Sequence, residues 1–280
     1  MLRKGIALAA LGLALIGGPA LANGGAEEPK HVEFSFDGPF GKFDQAELQR
    51  GYKVYREVCA ACHSMNLLYF RNLGQKGGPF YDAKYANPND NPYVKAIAAE
   101  YQVSDIDSET GDVIQRPGSS ADRFPAPFPN EPAARASNGG ALPPDLSVMA
   151  KARHHGPQYI YSLLSGYEEP PAGLKVGTNQ HYNPYMAGDL TSAWHGKGPP
   201  PKGGFIAMPP PLAPDKVTFD DGTKSTVDQQ AKDVAAFIAW ASEPKMEERK
   251  QFGLAAMGYL LIFAGLLYAS YRRIWRNVAH

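Results

Sequence analysis

The longest uninterrupted run of apolar residues lies near the C-terminus of the chain. Residues 252–271 carry no charged side chain over 20 positions, and a helix drawn through them has no polar face. That length suits a helix that crosses about 30 Å of hydrocarbon. The alternative is a buried core helix, but the run has no polar face and lies nine residues from the C-terminus. Three arginines follow within five residues and favour a cytoplasmic tail by the positive-inside rule. We therefore predict a membrane anchor over 251–271 and a cytoplasmic tail over 272–280.

A shorter apolar run, 5–17, lies at the N-terminus. Two basic residues precede it, and the small-residue stretch 20–22 follows it as a cleavage site, a pattern typical of a secretory signal peptide. The run is too short to favour a spanning helix. We therefore predict a signal peptide over 1–22 and an exported domain over 23–250.

Between these ends, apolar residues recur at helical spacing in five stretches. The first spans 45–58, with Asp44 as its N-cap and Glu47 completing a capping box. The last runs from Thr226, a second N-cap, to the Glu-Pro pair at 243–244. The other three are shorter and are bounded by Pro, Gly or Asp: 92–101, 145–154 and 157–166.

Proline and glycine are concentrated between the helical stretches. The chain has 25 Pro and 29 Gly, so we predict long irregular loops, with strands only as short ribbons within them. Long loops in a domain of about 220 residues usually serve a purpose, and enclosing a cofactor is one. The predicted fold is mainly α, with one helical core and long Pro/Gly-rich loops.

The exported domain is acidic although the whole chain is formally neutral. Residues 23–244 carry 20 Lys and Arg against 26 Asp and Glu, a net charge of −6. An acidic surface repels nucleic acid and favours a basic protein partner. We therefore expect no nucleic-acid ligand.

The two cysteines of the chain, Cys59 and Cys62, lie three positions apart, and His63 follows directly. This C-x-x-C-H spacing is that of a covalent c-type haem, in which both thiols bind one porphyrin and the imidazole binds the iron. The alternatives are a thioredoxin-like redox pair and half of a zinc site, which would need a second Cys/His cluster. We predict one covalent haem c and hence no disulfide. Because this haem is attached outside the bacterial inner membrane, we expect the domain in the periplasm.

The second axial position of the iron has several candidate ligands. Met65 is too close to His63 to reach the other face of a porphyrin. Met208 lies in the Gly- and Pro-flanked stretch 203–214, whose extended path can press a thioether against a haem. The residues alone leave the choice open, and the other candidates are Met149, Met186, Met246 and the remaining histidines.

From about Phe43 to the anchor, the chain resembles the cytochrome c1 family, the haem subunits of bc1 complexes. The resemblance runs in order through six segments: 51–73, 116–147, 151–171, 181–185, 207–212 and 219–254. It implies a cytochrome c-like helical haem domain with one C-terminal transmembrane helix. It also implies Met208 as the axial sulfur, since the family's ligand lies in a Met-Pro-Pro segment. Ligation by His and Met raises the potential of the iron.

The resemblance implies further contacts to the haem. Arg153 matches the family's partner for a propionate, a role that suits a forked guanidinium. Tyr55 matches a position near the propionates. The remaining matches line the haem crevice or lie on the helix that follows it: Asn138, Ala141, Leu142, Pro143, Pro144, Tyr159 and Leu163.

Two positions depart from the family pattern. Glu168 stands where some members have a cysteine, so whatever that thiol does is absent here. Met186 stands where the family often has phenylalanine. It is therefore a rival to Met208 as axial ligand.

By this resemblance, the chain is an electron-transfer subunit of ubiquinol–cytochrome c oxidoreductase, and alone it is an electron carrier with no catalytic residue. The resemblance implies that it accepts an electron from the Rieske iron–sulfur protein and passes it to a soluble c-type cytochrome. It also implies cytochrome b and the Rieske protein as partners, in a complex expected to be dimeric. The alternatives are a membrane-anchored c-type cytochrome of a peroxidase or terminal oxidase, and a haem-based sensor. A peroxidase needs an open iron position and usually a second haem motif, and a sensor needs a signalling module beyond the membrane.

An acidic stretch precedes the predicted crevice loop, and the family has an acidic segment at the same place. We expect it to help dock a basic cytochrome, the alternative being a merely solvated loop. Its members are Glu100, Asp105, Asp107, Glu109 and Asp112.

Overall fold

A computed structural model describes residues 25–277 of the chain. The predicted signal peptide, 1–22, and the last three residues of the predicted tail lie outside the described residues. The described chain divides into two compact units. The larger consists of residues 29–165 and 207–277, and the smaller of residues 25–28 and 166–206.

The larger unit is built from helices and one short antiparallel ribbon, as predicted for a mainly α fold. Within residues 25–277 the helices are α1 (Gln45–Glu57), α2 (Pro92–Ala99), α3 (Glu131–Ser137), α4 (Met149–Ala152), α5 (Gly156–Ser165), α6 (Val227–Ser242) and α7 (Met246–Trp275). The ribbon pairs β1 (Gln102–Ile106) with β2 (Val113–Pro117).

Helices α1 and α6 pack against each other at the centre of the larger unit. Both begin at the predicted caps: Asp44 accepts the backbone N–H of Glu47, and Thr226 accepts that of Gln229. Trp240 on α6 is completely buried in the core that the two helices share. The C-x-x-C-H segment therefore continues from a helix that is packed into this buried core.

The predicted capping box of α1 closes through a third residue. The hydroxyl of Ser35 donates to Glu47 Oε2 at 2.7 Å and accepts the N–H of Asp44 at 3.1 Å. The carboxylate of Glu47 is thus linked to the backbone N–H of Asp44 through the Ser35 hydroxyl, whereas in a standard capping box it would accept that N–H directly. The same hydroxyl ties the segment before α1 to the helix.

The third predicted helix is much shorter than its pattern. Of residues 145–154, only Met149–Ala152 are helical. The preceding residues, 145–147, are instead hydrogen-bonded to the segment 64–67 that follows the C-x-x-C-H motif. A long-range contact has replaced the first turn of the expected helix.

Helix α7 contains the predicted anchor and begins before it. Its 30 residues are long and apolar enough to cross a membrane, and its large apolar side chains from Phe252 onward are exposed. Near its start, Lys250 Nζ donates to the carbonyls of Phe36, Gly38 and Gly41 at 2.6, 2.7 and 3.2 Å. The beginning of α7 is therefore fixed to the loop that precedes α1.

The smaller unit is a loop-rich segment around one ribbon, which pairs β3 (His181–Asn183) with β4 (Gly204–Ile206). Its small apolar cluster consists of Leu174, Tyr182 and Leu190. Met186 belongs to this unit.

Candidate functional site

The C-x-x-C-H motif forms one compact turn directly after α1. Residues Cys59–Ala61 form a 3₁₀ turn, and the carbonyl of Cys59 accepts the backbone N–H of both Cys62 and His63, at 3.0 and 2.9 Å. The two cysteines form no disulfide with each other, and both are partly buried. Two thiols and an imidazole are thus presented together by five residues.

The ring of His63 is oriented by a residue from a distant segment. Its Nδ1 lies 2.8 Å from the carbonyl oxygen of Pro144. A carbonyl can only accept, so the proton is on Nδ1 and the lone pair is on Nε2, the tautomer that binds a metal through Nε2. Burial lowers the pKa of His63, which favours the neutral imidazole that ligation requires.

The segment that follows His63 is hydrogen-bonded to the segment that follows Pro144. Leu146 N–H donates to the carbonyl of Ser64 at 2.9 Å, and Leu67 N–H donates to Ser147 Oγ at 3.0 Å. The carboxylate of Asp145 accepts further hydrogen bonds between them. These contacts place the Pro144 carbonyl beside the histidine.

Tyr55 supports the motif from inside α1. Its side chain is buried, with its ring against Phe124 and Phe237, and its hydroxyl lies 3.5 Å from the carbonyl of His63. Burial raises the pKa of Tyr55, so the hydroxyl keeps its proton. The structure thus places this predicted site residue next to the motif.

The predicted crevice loop, 138–144, connects the end of α3 to the Pro144 carbonyl. Asn138 Nδ2 donates to the carbonyl of Ala134 at 2.7 Å, and Ala141 N–H donates to the carbonyl of Asn138 at 3.1 Å. Gly140 has φ +93°, a conformation that favours glycine at this bend. The loop is thereby closed on the end of α3 before it reaches His63.

Three apolar side chains are exposed on the segments that flank His63 and Pro144 in the sequence. Leu67, Leu142 and Val148 are 62%, 37% and 45% exposed. Exposed leucine and valine side chains near a partly buried imidazole suit a flat apolar group that covers them. With two thiols and a nitrogen ligand on one turn, these residues fit a c-type haem.

Met208 is partly buried and follows β4 in the Pro-rich segment 207–214. Further along, Lys216 Nζ donates to the carbonyl of Pro211 at 2.8 Å, which folds the segment back on itself. Burial and the neighbouring Cys62 raise the pKa of Cys59 to about 12, and the charge of Lys216 acts in the opposite direction. Lys216, two residues beyond this segment, is close enough to Cys59 for its charge to affect that thiol.

The other predicted haem contacts are on α4 and α5 or just after them. Arg153 is exposed directly after α4, with its guanidinium 3.2 Å from the carbonyl of Ala152. Tyr159 and Leu163 are partly buried on α5, and Tyr159 packs against the core. Met186 belongs to the smaller unit.

The geometry disfavours the two other interpretations of the cysteine pair. Within residues 25–277, no group of three or more His, Cys, Asp and Glu side chains is arranged to hold a metal ion, so the thiols lack the further ligands of a zinc site. A redox-active thiol has a lowered pKa, whereas burial raises that of Cys59.

Residues that the sequence analysis did not single out contribute to the arrangement. Ser64, Asp145 and Ser147 hold the two segments together, and Asp145 was predicted only as the start of a helix. A Pro-Pro-Asp sequence indicates a turn, but nothing in it indicates a partner 81 positions earlier.

Comparison with known proteins gives one consistent result. A family model described as the cytochrome C1 family matches residues 34–278. A protein named cytochrome c1 from Rhodospirillum rubrum is 40% identical over 291 residues, which cover 98% of this chain and 97% of that protein.

Two further relatives differ in length from this chain. A protein named cytochrome b/c1 from Bradyrhizobium diazoefficiens is 42% identical over 293 residues, which cover 97% of this chain but 39% of that protein. A protein named cytochrome c1 1, heme protein, mitochondrial, from Arabidopsis thaliana is 43% identical over 253 residues, which cover 90% of this chain and 73% of that protein.

Proposed function

The chain belongs to the cytochrome C1 family, and from this premise we propose that it is the haem-bearing electron carrier of a ubiquinol–cytochrome c oxidoreductase, the bc1 complex. The chain alone catalyses no bond chemistry and has no catalytic residue. Its role is to hold one redox group at a set potential, within reach of a donor and an acceptor.

The proposed redox group is one haem c, attached through Cys59 and Cys62 and ligated by His63 Nε2. Such a haem supplies a centre that takes up and releases one electron. The chain's own part is visible in the turn that presents both thiols and in the Pro144 carbonyl that fixes the ring of His63. That hydrogen bond between Nδ1 and Pro144 is the observation that carries the proposal, because it leaves Nε2 as the ligating nitrogen.

Met208 is the proposed sixth ligand. Its partial burial and the prolines after it support this assignment. A thioether that occupies the second axial position keeps water and small gases off the iron and raises its potential.

The remaining predicted residues have proposed roles around the same group. One side of the crevice is lined by residues of the loop 138–144: Asn138, Ala141, Leu142, Pro143 and Pro144. The exposed side chain of Leu142 would be covered by the haem. Arg153 reaches a propionate from the end of α4, where its exposed guanidinium is able to reorient. The roles of Tyr55, Tyr159 and Leu163 are packing against the haem or its propionates.

The proposed partners follow from membership of a bc1 complex. The Rieske iron–sulfur protein donates the electron, a soluble c-type cytochrome accepts it, and cytochrome b carries the quinol chemistry in a dimeric assembly. We propose that α7 anchors the chain by 251–271, with the haem domain, 23–250, in the periplasm and 272–280 in the cytoplasm after removal of 1–22. The exposed apolar side chains of α7 support the anchor.

The proposal is tested on the full chain by extraction and spectroscopy. We expect the haem to resist acid–acetone extraction, to give a c-type reduced-minus-oxidised spectrum and not to bind carbon monoxide readily. Cys62→Ala should weaken or abolish attachment because one thioether is lost, whereas Ala60→Ser, a matched change inside the same turn, should leave attachment intact.

Two results would contradict the proposal. Complete removal of haem from the wild-type protein by acid–acetone would exclude covalent attachment. Rapid binding of carbon monoxide by the wild-type protein would show an open iron position, as in a peroxidase, an oxidase or a gas sensor.

A further inference from the structure

We propose that Asp145 is a positioning residue for His63: its carboxylate joins the segment after His63 to the segment after Pro144, and so keeps the Pro144 carbonyl on the Nδ1–H of the histidine. This inference rests on the proposed ligation of the haem iron by His63. It concerns a residue that touches neither the thiols nor the imidazole.

Both oxygens of the Asp145 carboxylate are used. Oδ2 accepts the hydroxyl of Ser64 and the backbone N–H of Asn66, each at 2.8 Å. Oδ1 accepts the backbone N–H of Ser147, also at 2.8 Å. One side chain thus binds residues one and three positions after His63, while its own backbone follows Pro144 directly.

Two further hydrogen bonds join the same two segments. Together with the three bonds to Asp145 they form what we call the clamp. The N–H of Leu146 donates to the carbonyl of Ser64, and the N–H of Leu67 donates to Ser147 Oγ. Of the five bonds within and between the two segments, three end on Asp145. Loss of the carboxylate therefore leaves two of these five bonds, besides the His63–Pro144 bond itself, to keep Pro144 in register with His63.

The carboxylate is charged in this setting. Burial acts to raise the pKa of Asp145, but hydrogen bonds from Asn66, Ser147 and Ser64 outweigh it and hold the pKa below its usual value. Charge-assisted acceptors make stronger hydrogen bonds than neutral ones, so an amide at this position is a poorer clamp. An amide would also present N–H groups to donors that need an acceptor.

The clamp has a chemical consequence for the iron. A histidine that donates Nδ1–H to a fixed acceptor gives more electron density to a metal on Nε2, which favours the oxidised metal. A negative charge close to the ligand acts in the same direction. Loosening the clamp and removing its charge should therefore both move the midpoint potential to more positive values.

The test uses the full chain in its membrane complex, with Asp145→Asn compared with Asp107→Asn. Asp107 is a matched control, since its carboxylate also accepts two backbone N–H groups of a turn, those of Glu109 and Thr110, in the β1–β2 hairpin. We expect Asp145→Asn to shift the midpoint potential positively and to change the electron paramagnetic resonance g-values of the oxidised haem. Asp107→Asn should change neither.

An unchanged midpoint potential and unchanged g-values in haem-loaded Asp145→Asn, with only a lower melting temperature, would overturn the inference. If that variant does not retain haem, Ser64→Ala decides, because it removes one bond to Asp145 and keeps the charge. A smaller shift in the same direction supports the inference, and no shift overturns it. Failure of the wild-type protein to show a histidine-ligated haem would instead refute the proposed function.

Discussion

Gly51 of α1 lies so close to Asp233 of α6 that a β-carbon on Gly51 would be 2.0 Å from the backbone oxygen of Asp233. The same atom would be 2.7 Å from Cβ of Phe237, one turn further along α6. The missing side chain is what allows these two helices to approach at this point. An ion pair adjoins the crossing: Arg50 Nε donates to the fully buried carboxylate of Asp233 at 2.8 Å.

Gly51→Ala should therefore destabilise the protein, although alanine ordinarily favours a helix by about 0.5–1 kcal/mol. The backbone of α6 cannot move away without disturbing the core, so we expect a loss of about 1–3 kcal/mol, as for other overpacked sites. Thermal unfolding followed by circular dichroism would measure it. Ala46→Ser, on the exposed side of the same helix, is the control and should change the melting temperature little. Equal melting temperatures for Gly51→Ala and wild type would contradict the prediction and show that the two helices can move apart at little cost.

A pH-dependent contribution to stability is expected from Asp122. Hydrogen bonds from Arg116, at 2.7 and 2.9 Å, and from Ser119 hold the pKa of Asp122 far below its usual value. The folded pKa is depressed, so this stabilisation is complete above the unfolded pKa of about 3.9 and is lost as the pH falls through the lower folded value.

Asp122→Asn should accordingly destabilise the protein by about 1 kcal/mol at pH 7 and by progressively less below about pH 4. Denaturant unfolding at a series of pH values would measure the difference. Glu33→Gln, an exposed carboxylate outside this network, is the control. A constant difference between Asp122→Asn and wild type from pH 7 to pH 2 would be inconsistent with this assignment.

The two candidate axial methionines are distinguished by matched substitutions. Met208→Leu should lower the midpoint potential steeply and open the iron to carbon monoxide, because leucine keeps the volume but has no sulfur. Met186→Leu should leave ligation intact. Redox titration and carbon monoxide difference spectra would measure both, and the reverse pattern would move the assignment to Met186.

The acidic stretch 100–112 is more structured than its sequence suggests, and this changes which residues to test. Asp105 is paired with Arg116 across the β1–β2 ribbon, and Asp107 accepts two backbone N–H groups in its turn. Amides at these positions would disturb the hairpin itself. Glu109 and Asp112 are exposed at its tip and are the better probes of docking.

Glu109→Gln/Asp112→Asn should slow electron delivery to a basic cytochrome at low ionic strength. The difference should disappear as salt shortens the Debye length from about 10 Å at 0.1 M to about 3 Å at 1 M, and the haem potential should stay unchanged. Stopped-flow oxidation would measure it, with Glu33→Gln/Glu169→Gln as a control of equal charge change. Equal rates for both double variants and wild type at low salt would exclude the hairpin tip as the docking surface.

Local sequence signals predicted the elements whose ends are stabilised locally. Asp44 and Thr226 cap α1 and α6 at the expected residues, because a cap needs only a polar side chain three positions before an N–H group. Helix α3 was missed. Its N-cap, Asn130, and its Pro132 are helix-start signals as informative as Asp44 and Thr226. They lie, however, in a stretch whose prolines and glycines favoured a loop.

The site shows the same division between local and distant information. The turn that presents Cys59, Cys62 and His63 follows from the spacing of five residues, and the crevice loop came only through resemblance to a family. The clamp made by Asp145 could not be predicted, since two of its partners, Ser64 and Asn66, are about 80 residues away and aspartate commonly binds only its own neighbours. The sequence shows only that serine and aspartate can bind nearby backbone groups. Which partner each side chain binds depends on the folded structure.

The haem domain should remain folded without the anchor, provided that the first turns of α7 are kept. A chain that ends at Gln251 retains Lys250, whose ammonium binds three carbonyls of the loop before α1, and Glu247, which accepts the N–H of Phe43 at 3.0 Å. We expect it to be exported as a soluble, reducible cytochrome with covalent haem.

Lys250→Met in that truncated chain should lower its melting temperature. The three carbonyls would lose their shared donor. Because these bonds are partly buried or exposed, each contributes less than the value typical of hydrogen bonds to charged groups, about 1.5–3 kcal/mol. Lys245→Met removes an exposed charge five residues earlier and serves as the control. Thermal unfolding followed by haem absorbance would compare the three chains. If the chain ending at Gln251 incorporated no haem, folding would depend on the anchor or the complex; equal melting of both lysine variants would show that Lys250 does not secure the junction.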